Sequence, residues 1–214
     1  MVLNANILPV FEQLGIYEEF KNITSPTERM IVSYGDLKKI ATIAGKDTEK
    51  LVGYDYRSLS RPKLMEFLLS KVPREKIHFN KKVLSTIQNK DGAMIRCADG
   101  TTYHGDILVG ADGAYSGVRQ SLYKQLQDKN VLPPSDMKDM HKGYTCLVGT
   151  TSSLDPEKYP FVGHSHTEIY HMIGQGTPYT WSTFTVPDNR VCYMVIRQFA
   201  TEAECENEKF RNSE

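Results

Sequence analysis

The stretch DILVGADGAYSGVR, residues 106–119, guides the interpretation of the whole chain. Its apolar run Ile107–Val109 is typical of a short strand that is covered on both faces. Gly110 and Gly113 follow, and glycine permits positive φ angles and a close approach of backbone. Ser116 is a suitable N-cap for a helix. We therefore predict a buried strand, a glycine-rich turn and a helix in direct succession.

This turn also has the features of a ligand site. A strand end, two glycines and a fresh helix N-terminus together place oriented N–H groups where a phosphate is received. Asp112 lies inside the turn and adds a carboxylate that accepts hydrogen bonds from hydroxyl groups. The helix is expected to continue to about Gln127. The stretch thus predicts a dinucleotide-binding site.

Composition and charge argue against several classes of protein. Lys plus Arg equals Asp plus Glu at 26 each, so no net field attracts the chain to nucleic acid or to an anionic membrane. No apolar run approaches the roughly 20 residues that span a bilayer. The first residues lack the features of a signal peptide. We expect a protein without a membrane segment and without a nucleic-acid partner.

The cysteines and histidines indicate the cellular compartment and whether a metal site is expected. The cysteines are widely spaced without a C-x-x-C pair, which favours reduced thiols and a cytoplasmic location. His164 and His166 would share one face of a strand, but no third ligand is evident, so no metal site is predicted. No G-x-S-x-G sequence supports a hydrolase. The four cysteines are Cys97, Cys146, Cys192 and Cys205.

The first half of the chain alternates helix and strand patterns. Residues 4–21 form a helical pattern that Gly15 ends, with a second short helix at about 17–21. Ser60 and Pro62 begin another helix that Pro73 stops. Further strands are predicted at residues 30–34, 37–44, 77–79, 83–88 and 93–98, with Asp-Gly turns at 91–92 and 99–100.

The second half is predicted to be rich in β-structure. Pro133 and Pro134 open a polar stretch to Lys142 that is typical of a linker or surface loop. Pro187-Asp188-Asn189 should connect the last two strands as a hairpin. The tail from Thr201 is acidic and polar. The strands are predicted at residues 144–150, 168–173, 181–186 and 190–197.

With its neighbours, Gly110–Arg119 resembles the motif G-A-D-G-x-x-S-x-x-R of FAD-dependent aromatic hydroxylases, the single-component flavin monooxygenases. Arg57–Leu64 resembles the helix start whose arginine contacts FAD in that family. Asp99–Asp106 resembles the family's approach to the motif, and Leu3–Gly15 resembles the helix after its dinucleotide-binding unit. The resemblance extends over residues 1 to about 125 and is strongest to fungal members of the meroterpenoid and indole-diterpene type.

The resemblance implies an α/β fold. An incomplete FAD/NAD(P)-binding domain of the hydroxylase type would be interleaved with an antiparallel β substrate-binding sheet. Residues 1–27 and 57–130 would form the FAD-binding part, and residues 28–56 and 131–214 the substrate-binding part.

The resemblance also implies a set of cofactor-binding residues. Arg61 would contact phosphate or ribityl oxygens of FAD, unless it is a solvated arginine at a helix start. Val83 would offer backbone hydrogen bonds to the adenine, unless it is an ordinary strand residue. Asp112, Gly110 and Gly113 would contact the cofactor, the alternative being a tight turn without a ligand.

Other conspicuous side chains receive structural roles. Arg57 is expected on the surface or in a structural pair, and Arg119 is expected to anchor the helix after the turn or to border the nicotinamide cofactor. Aromatic residues of the second half are expected to pack. No catalytic residue is assigned.

Two further family motifs do not occur in the chain. The family begins with a strand and G-x-G-x-x-G, which holds the FAD pyrophosphate, and it carries a later G-D-A motif. No window of these 214 residues contains G-x-G-x-x-G. The sequence is therefore expected to be an internal fragment of a longer enzyme.

The implied activity is an FAD-dependent monooxygenase that uses NAD(P)H as reductant and O2 as co-substrate. It would hydroxylate or epoxidise a small organic substrate. The alternative is a non-catalytic remnant or an interaction fragment of the flavoprotein fold. The substrate, the choice between NADH and NADPH, and the oligomeric state stay open.

Overall fold

The structure is a computed structural model that describes residues 1–90, 92–138, 143–201 and 203–204. The chain divides into two compact units, Met1–Lys71 with Lys142–Glu214, and Val72–His141. We call them unit 1 and unit 2. The predicted Asp-Gly turn at 91–92, the end of the predicted linker and most of the tail from Thr201 lie wholly or partly outside the described residues.

Unit 1 is built on an eight-stranded sheet among its described residues. The strand order is β1-β4-β2-β9-β10-β11-β8, with β3 paired to β2. Strands β2 and β9 are parallel, and the other pairs are antiparallel. The strands are β1 (Val2–Leu3), β2 (Ser25–Tyr34), β3 (Lys39–Ala44), β4 (Arg57–Ser58), β8 (Tyr144–Thr150), β9 (Thr167–Ile173), β10 (Tyr179–Val186) and β11 (Arg190–Gln198).

Three of the four α-helices described in unit 1, the first, second and fourth, enclose an apolar core. Gly15 adopts a φ of +70°, which ends the first helix and lets the second begin at Tyr17, as the sequence predicts. Phe11 and Phe20 meet in this core with ring centroids 4.4 Å apart. The helices are α1 (Leu8–Gln13), α2 (Tyr17–Lys21), α3 (Gly45–Val52) and α4 (Arg61–Ser70), and the buried core residues are Leu8, Phe11, Phe20, Leu59 and Leu64.

The sheet of unit 1 has two faces that serve different purposes. Residue pairing places Met30, Ile169, Phe184 and Cys192 in one row across β2, β9, β10 and β11. Because side chains alternate along a strand, the neighbouring residue Glu168 points to the opposite side. We call the side of Ile169 the front face and the side of Glu168 the back face.

Unit 2 is a three-stranded meander with one helix. The strands are β5 (Val83–Asn89), β6 (Gly92–Cys97) and β7 (Thr102–Gly105), and the helix is α5 (Gly117–Asp128). A polar network docks α5 on β5: Thr86 donates to the Ser121 hydroxyl through its N–H, at 3.1 Å, and Gln125 donates to the Thr86 carbonyl at 2.7 Å. These bonds fix the rotation of the helix on the sheet.

Several predicted elements are confirmed. Helix α4 begins at Arg61 after Ser60 and ends before Pro73. The hairpin between β10 and β11 turns at Asp188 and Asn189, whose φ angles of 71° and 56° suit a tight turn matching the twist of the strands. The meander and the helix of unit 2 are also present.

Two sequence predictions about elements are wrong, and one helix was not predicted. Residues 107–109 do not form a buried strand: Ile107 and Val109 are 83% and 80% exposed, because no described strand pairs with this run. Residues 77–79 are also not a strand. Helix α3 was not foreseen, since its sequence GKDTEKLV carries few apolar residues. It forms against β2, where a Cβ on Gly45 would lie 1.9 Å from the Thr27 carbonyl oxygen.

No helix in the described ranges combines the length and the apolar character that crossing a membrane requires. The longest described helix is α5, which is amphipathic in sequence and carries charged residues.

The core of unit 1 provides a stability prediction. Leu8 is fully buried in α1, so Leu8→Ala should lower the free energy of unfolding by about 2–5 kcal/mol through lost burial and a cavity. Leu51→Ala in α3 is the matched control, because Leu51 is 84% exposed and its loss should change stability by less than about 0.5 kcal/mol. Urea denaturation measures both; equal losses would contradict the assignment of the core.

Candidate functional site

The turn before α5 is organised by the carboxylate of Asp112. One oxygen accepts from the Ser116 hydroxyl at 2.5 Å, and the other accepts from the Val118 N–H at 3.2 Å. The Ser116 hydroxyl oxygen in turn accepts from the Arg119 N–H at 3.0 Å, so Ser116 is the N-cap that the sequence predicts. The turn and the first turn of α5 thus form one hydrogen-bonded unit.

These bonds correct the expectation that the helix N-terminus receives a phosphate directly. The N–H groups of Val118 and Arg119 already have acceptors within the chain. The carboxylate of Asp112 therefore supplies the negative charge that the positive end of the helix favours. An external anion would have to displace it.

Asp112 itself is well placed to bind a ligand. Its side chain is exposed, and the hydrogen bonds from Ser116 and then from the Val118 N–H lower the pKa of its carboxyl group. An ionised carboxylate has about four lone-pair positions, so acceptor capacity is left over. The turn presents a rigid, charged acceptor for hydroxyl groups.

The two glycines of the turn have different tasks. Gly113 adopts a φ of +79°, which a side chain would strain. Gly110 does not adopt a positive φ. A Cβ on Gly110 would lie 2.9 Å from the Val118 Cβ, which confirms the predicted close approach. Both positions let the turn fold tightly onto the start of α5.

Val83 lies beside the same turn. A Cβ on Gly117 would be 3.8 Å from an Asp112 carboxylate oxygen and 3.9 Å from the Val83 carbonyl oxygen, so both oxygens border this position. Arg119 donates to the Ala114 carbonyl at 2.5 Å and anchors the turn, one of the two roles foreseen for it. Unit 2 therefore brings together Gly110, Gly113, Asp112 and Val83.

Arg61, the fifth predicted cofactor residue, belongs to unit 1. It is the exposed first residue of α4 and borders a cavity of that unit. Within the described part of the chain, no hydrogen bond or ion pair holds its guanidinium group. Arg57, by contrast, is 8% exposed and pairs with Asp55 at 3.0 Å, which confirms a structural role and excludes a surface position.

The cavity beside Arg61 lies on the front face of the sheet and has a volume of about 650 Å³. Its walls are mainly apolar, which suits an organic ligand. The N-terminal residues and the start of α4 form the remaining walls. Apolar residues of the sheet that line it include Met30, Ile169, Phe184, Val186 and Met194.

A polar pair interrupts this apolar wall. His171 and Ser182 lie opposite each other on β9 and β10, with the His171 Nδ1 atom 2.6 Å from the Ser182 hydroxyl oxygen. Ser182 is 4% exposed, so the pair is largely shielded from solvent. Sequence reasoning did not find it. Strand alternation places both residues on the face of Ile169, but it does not reveal that this face lines a cavity.

Comparison with known proteins identifies the class to which this architecture belongs. A protein of Klebsiella pneumoniae, HpxO in complex with FAD and uric acid, has the same fold, with a TM-score of 0.73 over 94% of this chain and 48% of that one, at 18% identity. A salicylate hydroxylase in complex with its substrate matches 100% of this chain and 51% of that chain, with a TM-score of 0.69 at 17% identity. The fold is the mixed α/β fold of FAD-dependent hydroxylases.

The sequence match is more specific. Residues 1–153 match the FAD-binding domain family, so the chain belongs to that family. A similar curated protein, the FAD-dependent monooxygenase ausM of Emericella nidulans, is 32% identical over 153 residues. That match covers 68% of this chain and 32% of the relative, so the chain spans about a third of the length of the curated relatives it matches.

The cap at Ser116 provides a prediction for the turn. Ser116→Ala should destabilise the start of α5 by about 1 kcal/mol, because the Arg119 N–H and an Asp112 oxygen lose their partner. Amide hydrogen exchange at Val118 and Arg119 should accelerate accordingly. Ser135→Ala, an exposed serine of the same unit, is the control. Unchanged exchange in Ser116→Ala would contradict the capping role.

Proposed function

We propose that this chain provides part of the flavin-binding and substrate-binding machinery of an FAD-dependent monooxygenase. The carboxylate of Asp112 carries the proposal, because the G-A-D-G turn holds it ionised, exposed and rigid. The family match and the names of the relatives support the same activity. The overall reaction would convert RH, O2, NAD(P)H and H⁺ to ROH, H2O and NAD(P)⁺, or form an epoxide from an alkene with the same balance.

The chemistry of the residues fits FAD. The molecule carries ribose and ribityl hydroxyls, a pyrophosphate and an adenine. Asp112 would accept from a hydroxyl, and the unpaired guanidinium of Arg61 would donate to phosphate or ribityl oxygens. Val83 would offer its backbone to the adenine, and Gly110 and Gly113 would keep the turn compact. Bound FAD would supply the redox chemistry, taking reducing equivalents from NAD(P)H and activating O2.

The front cavity would bind the organic substrate. Its volume of about 650 Å³ and its apolar walls suit a molecule of drug size and keep water from the reaction. We infer that the Ser182 hydroxyl donates to the His171 Nδ1 atom, which would leave a ring proton on Nε2. That N–H would donate to an oxygen of the substrate and fix its orientation.

The role of Asp112 is tested by adding FAD to the 214-residue chain. Asp112→Ala should weaken FAD binding by about 10- to 100-fold, the range for a hydrogen bond to a charged group. Asp128→Ala, another exposed aspartate of unit 2, should leave the affinity unchanged. Quenching of flavin fluorescence measures the dissociation constants.

Two results would contradict the proposal. Equal affinities of the two variants would remove Asp112 from the site. A chain that binds no FAD would support the alternative, a non-catalytic remnant of the flavoprotein fold.

The reductant and co-substrate are tested on the FAD-loaded chain. NAD(P)H should reduce the flavin, and reoxidation in air should consume O2, because the proposed reaction uses one of each per turnover. Absorbance of the reduced nicotinamide and an oxygen electrode follow the two reactants. A bound flavin that NADH and NADPH both fail to reduce would argue against a self-sufficient monooxygenase.

A further inference from the structure

A group of possible metal ligands lies on the back face of the unit 1 sheet, away from the front cavity. The ligand atoms of Glu28, His166 and Glu168 all lie within 4.8 Å of one another. His166 Nε2 is 2.6 Å from a Glu28 carboxylate oxygen. His164 is also close, with its ring centroid 5.1 Å from that of His166. One imidazole and two carboxylates therefore cluster at one place, and a second imidazole lies beside the first.

The backbone brings this group together through an irregularity in the sheet. Strand β2 pairs Thr27 with Thr167 and Arg29 with Glu168, so Glu28 is one extra residue in β2. A bulge of this kind redirects a side chain from its regular position. It allows Glu28 to reach His166, which directly precedes β9.

Neighbouring side chains orient the second carboxylate. The Tyr170 hydroxyl donates to one oxygen of Glu168 at 2.6 Å, and Arg29 contacts the other. The hydrogen bond from Tyr170 and then the contacts with Arg29 lower the pKa of Glu168, which keeps it ionised. Partners of this type position metal ligands in known sites.

The group also borders open space. His164, His166, Glu168 and Tyr170 line a cavity of about 380 Å³ on the back face. This cavity gives a metal ion access to the group. The side chains of His166 and Glu28 are 32% and 50% exposed, so solvent reaches both.

We propose that Glu28, His166 and Glu168, with His164 as a fourth ligand, bind a divalent transition metal of the zinc type. Imidazole and carboxylate are ligands that Zn²⁺ accepts at about 2.0–2.2 Å. Ligands of one tetrahedral ion lie about 3.4 Å apart at these bond lengths. The ligand atoms of Glu28, His166 and Glu168 now lie within 4.8 Å of one another, so binding would draw them closer together and open the His166–Glu28 contact.

The site joins two distant parts of the chain. Glu28 lies in β2 and His166 precedes β9, so a bound ion would link the parallel pair at its start. An ion that binds the folded chain alone raises its stability in proportion to the logarithm of its concentration. The proposal is independent of flavin binding, because none of these residues belongs to the proposed flavin site.

Zinc titration of the full chain, by calorimetry, tests the proposal. One equivalent should bind, and His166→Ala and the isosteric Glu28→Gln should each weaken the affinity by about tenfold or more. His104→Ala is the matched control, since His104 is an exposed histidine of unit 2. Circular dichroism should show that all variants keep the fold.

Two further measurements distinguish binding of Zn²⁺ at this site from binding at other positions of the chain. Zn²⁺ should raise the Tm of the unmodified chain and of His104→Ala, but not that of His166→Ala. Co²⁺ in place of Zn²⁺ should give visible absorption without a thiolate charge-transfer band, because no cysteine is proposed as ligand. Failure to bind Zn²⁺, equal binding by His166→Ala and His104→Ala, or a thiolate band would overturn the proposal.

Discussion

The structure of unit 1 depends on the parallel pairing of β2 with β9. This pairing joins the first third of the chain to the last quarter. Among the described strands, it connects the group β1 to β4 with the group β8 to β11. At its start, the fully buried Thr167 donates to the Thr185 carbonyl at 3.0 Å and contacts the Ser58 hydroxyl, so β4, β9 and β10 meet at one side chain. The register of this pair determines which side chains lie together on each face of the sheet. Ile169 and His171 line the front cavity, while Glu168 lies next to the bulged Glu28 on the other side.

Much of the local structure follows from the sequence, because its causes are local. Gly15, Pro62, Pro73 and the Asp188-Asn189 turn determine backbone angles directly, and the elements they bound are present as predicted. The motif around Asp112 is likewise contained in a few residues. The prediction of a buried strand at residues 107–109 was wrong because burial depends on neighbouring strands. The periodicity of a single segment contains no information about them. Helix α3 was missed because contact with β2, rather than its own composition, stabilises it.

In the candidate sites, too, local arrangements could be predicted from the sequence, whereas contacts between distant strands could not. Four of the five predicted cofactor residues converge at the start of α5, since three of them are neighbours in sequence and Val83 lies in the adjacent strand. Their roles toward FAD, and the division into flavin-binding and substrate-binding parts, stay predictions. His171 with Ser182, and Glu28 with His166, come together only through strand register. A single sequence contains no signal for such pairs, because residue type alone does not indicate which strands become neighbours.

The long separation of β2 and β9 also has a consequence for how the chain acquires its structure. Their paired residues are about 140 positions apart, whereas the strands of unit 2 pair with sequence neighbours. Closing so large a loop costs entropy before any contact compensates it, so local meanders form faster than distant parallel pairs. During synthesis on a ribosome, β2 would be complete long before β9. The edge of β2 that pairs with β9 would meanwhile be exposed to other chains.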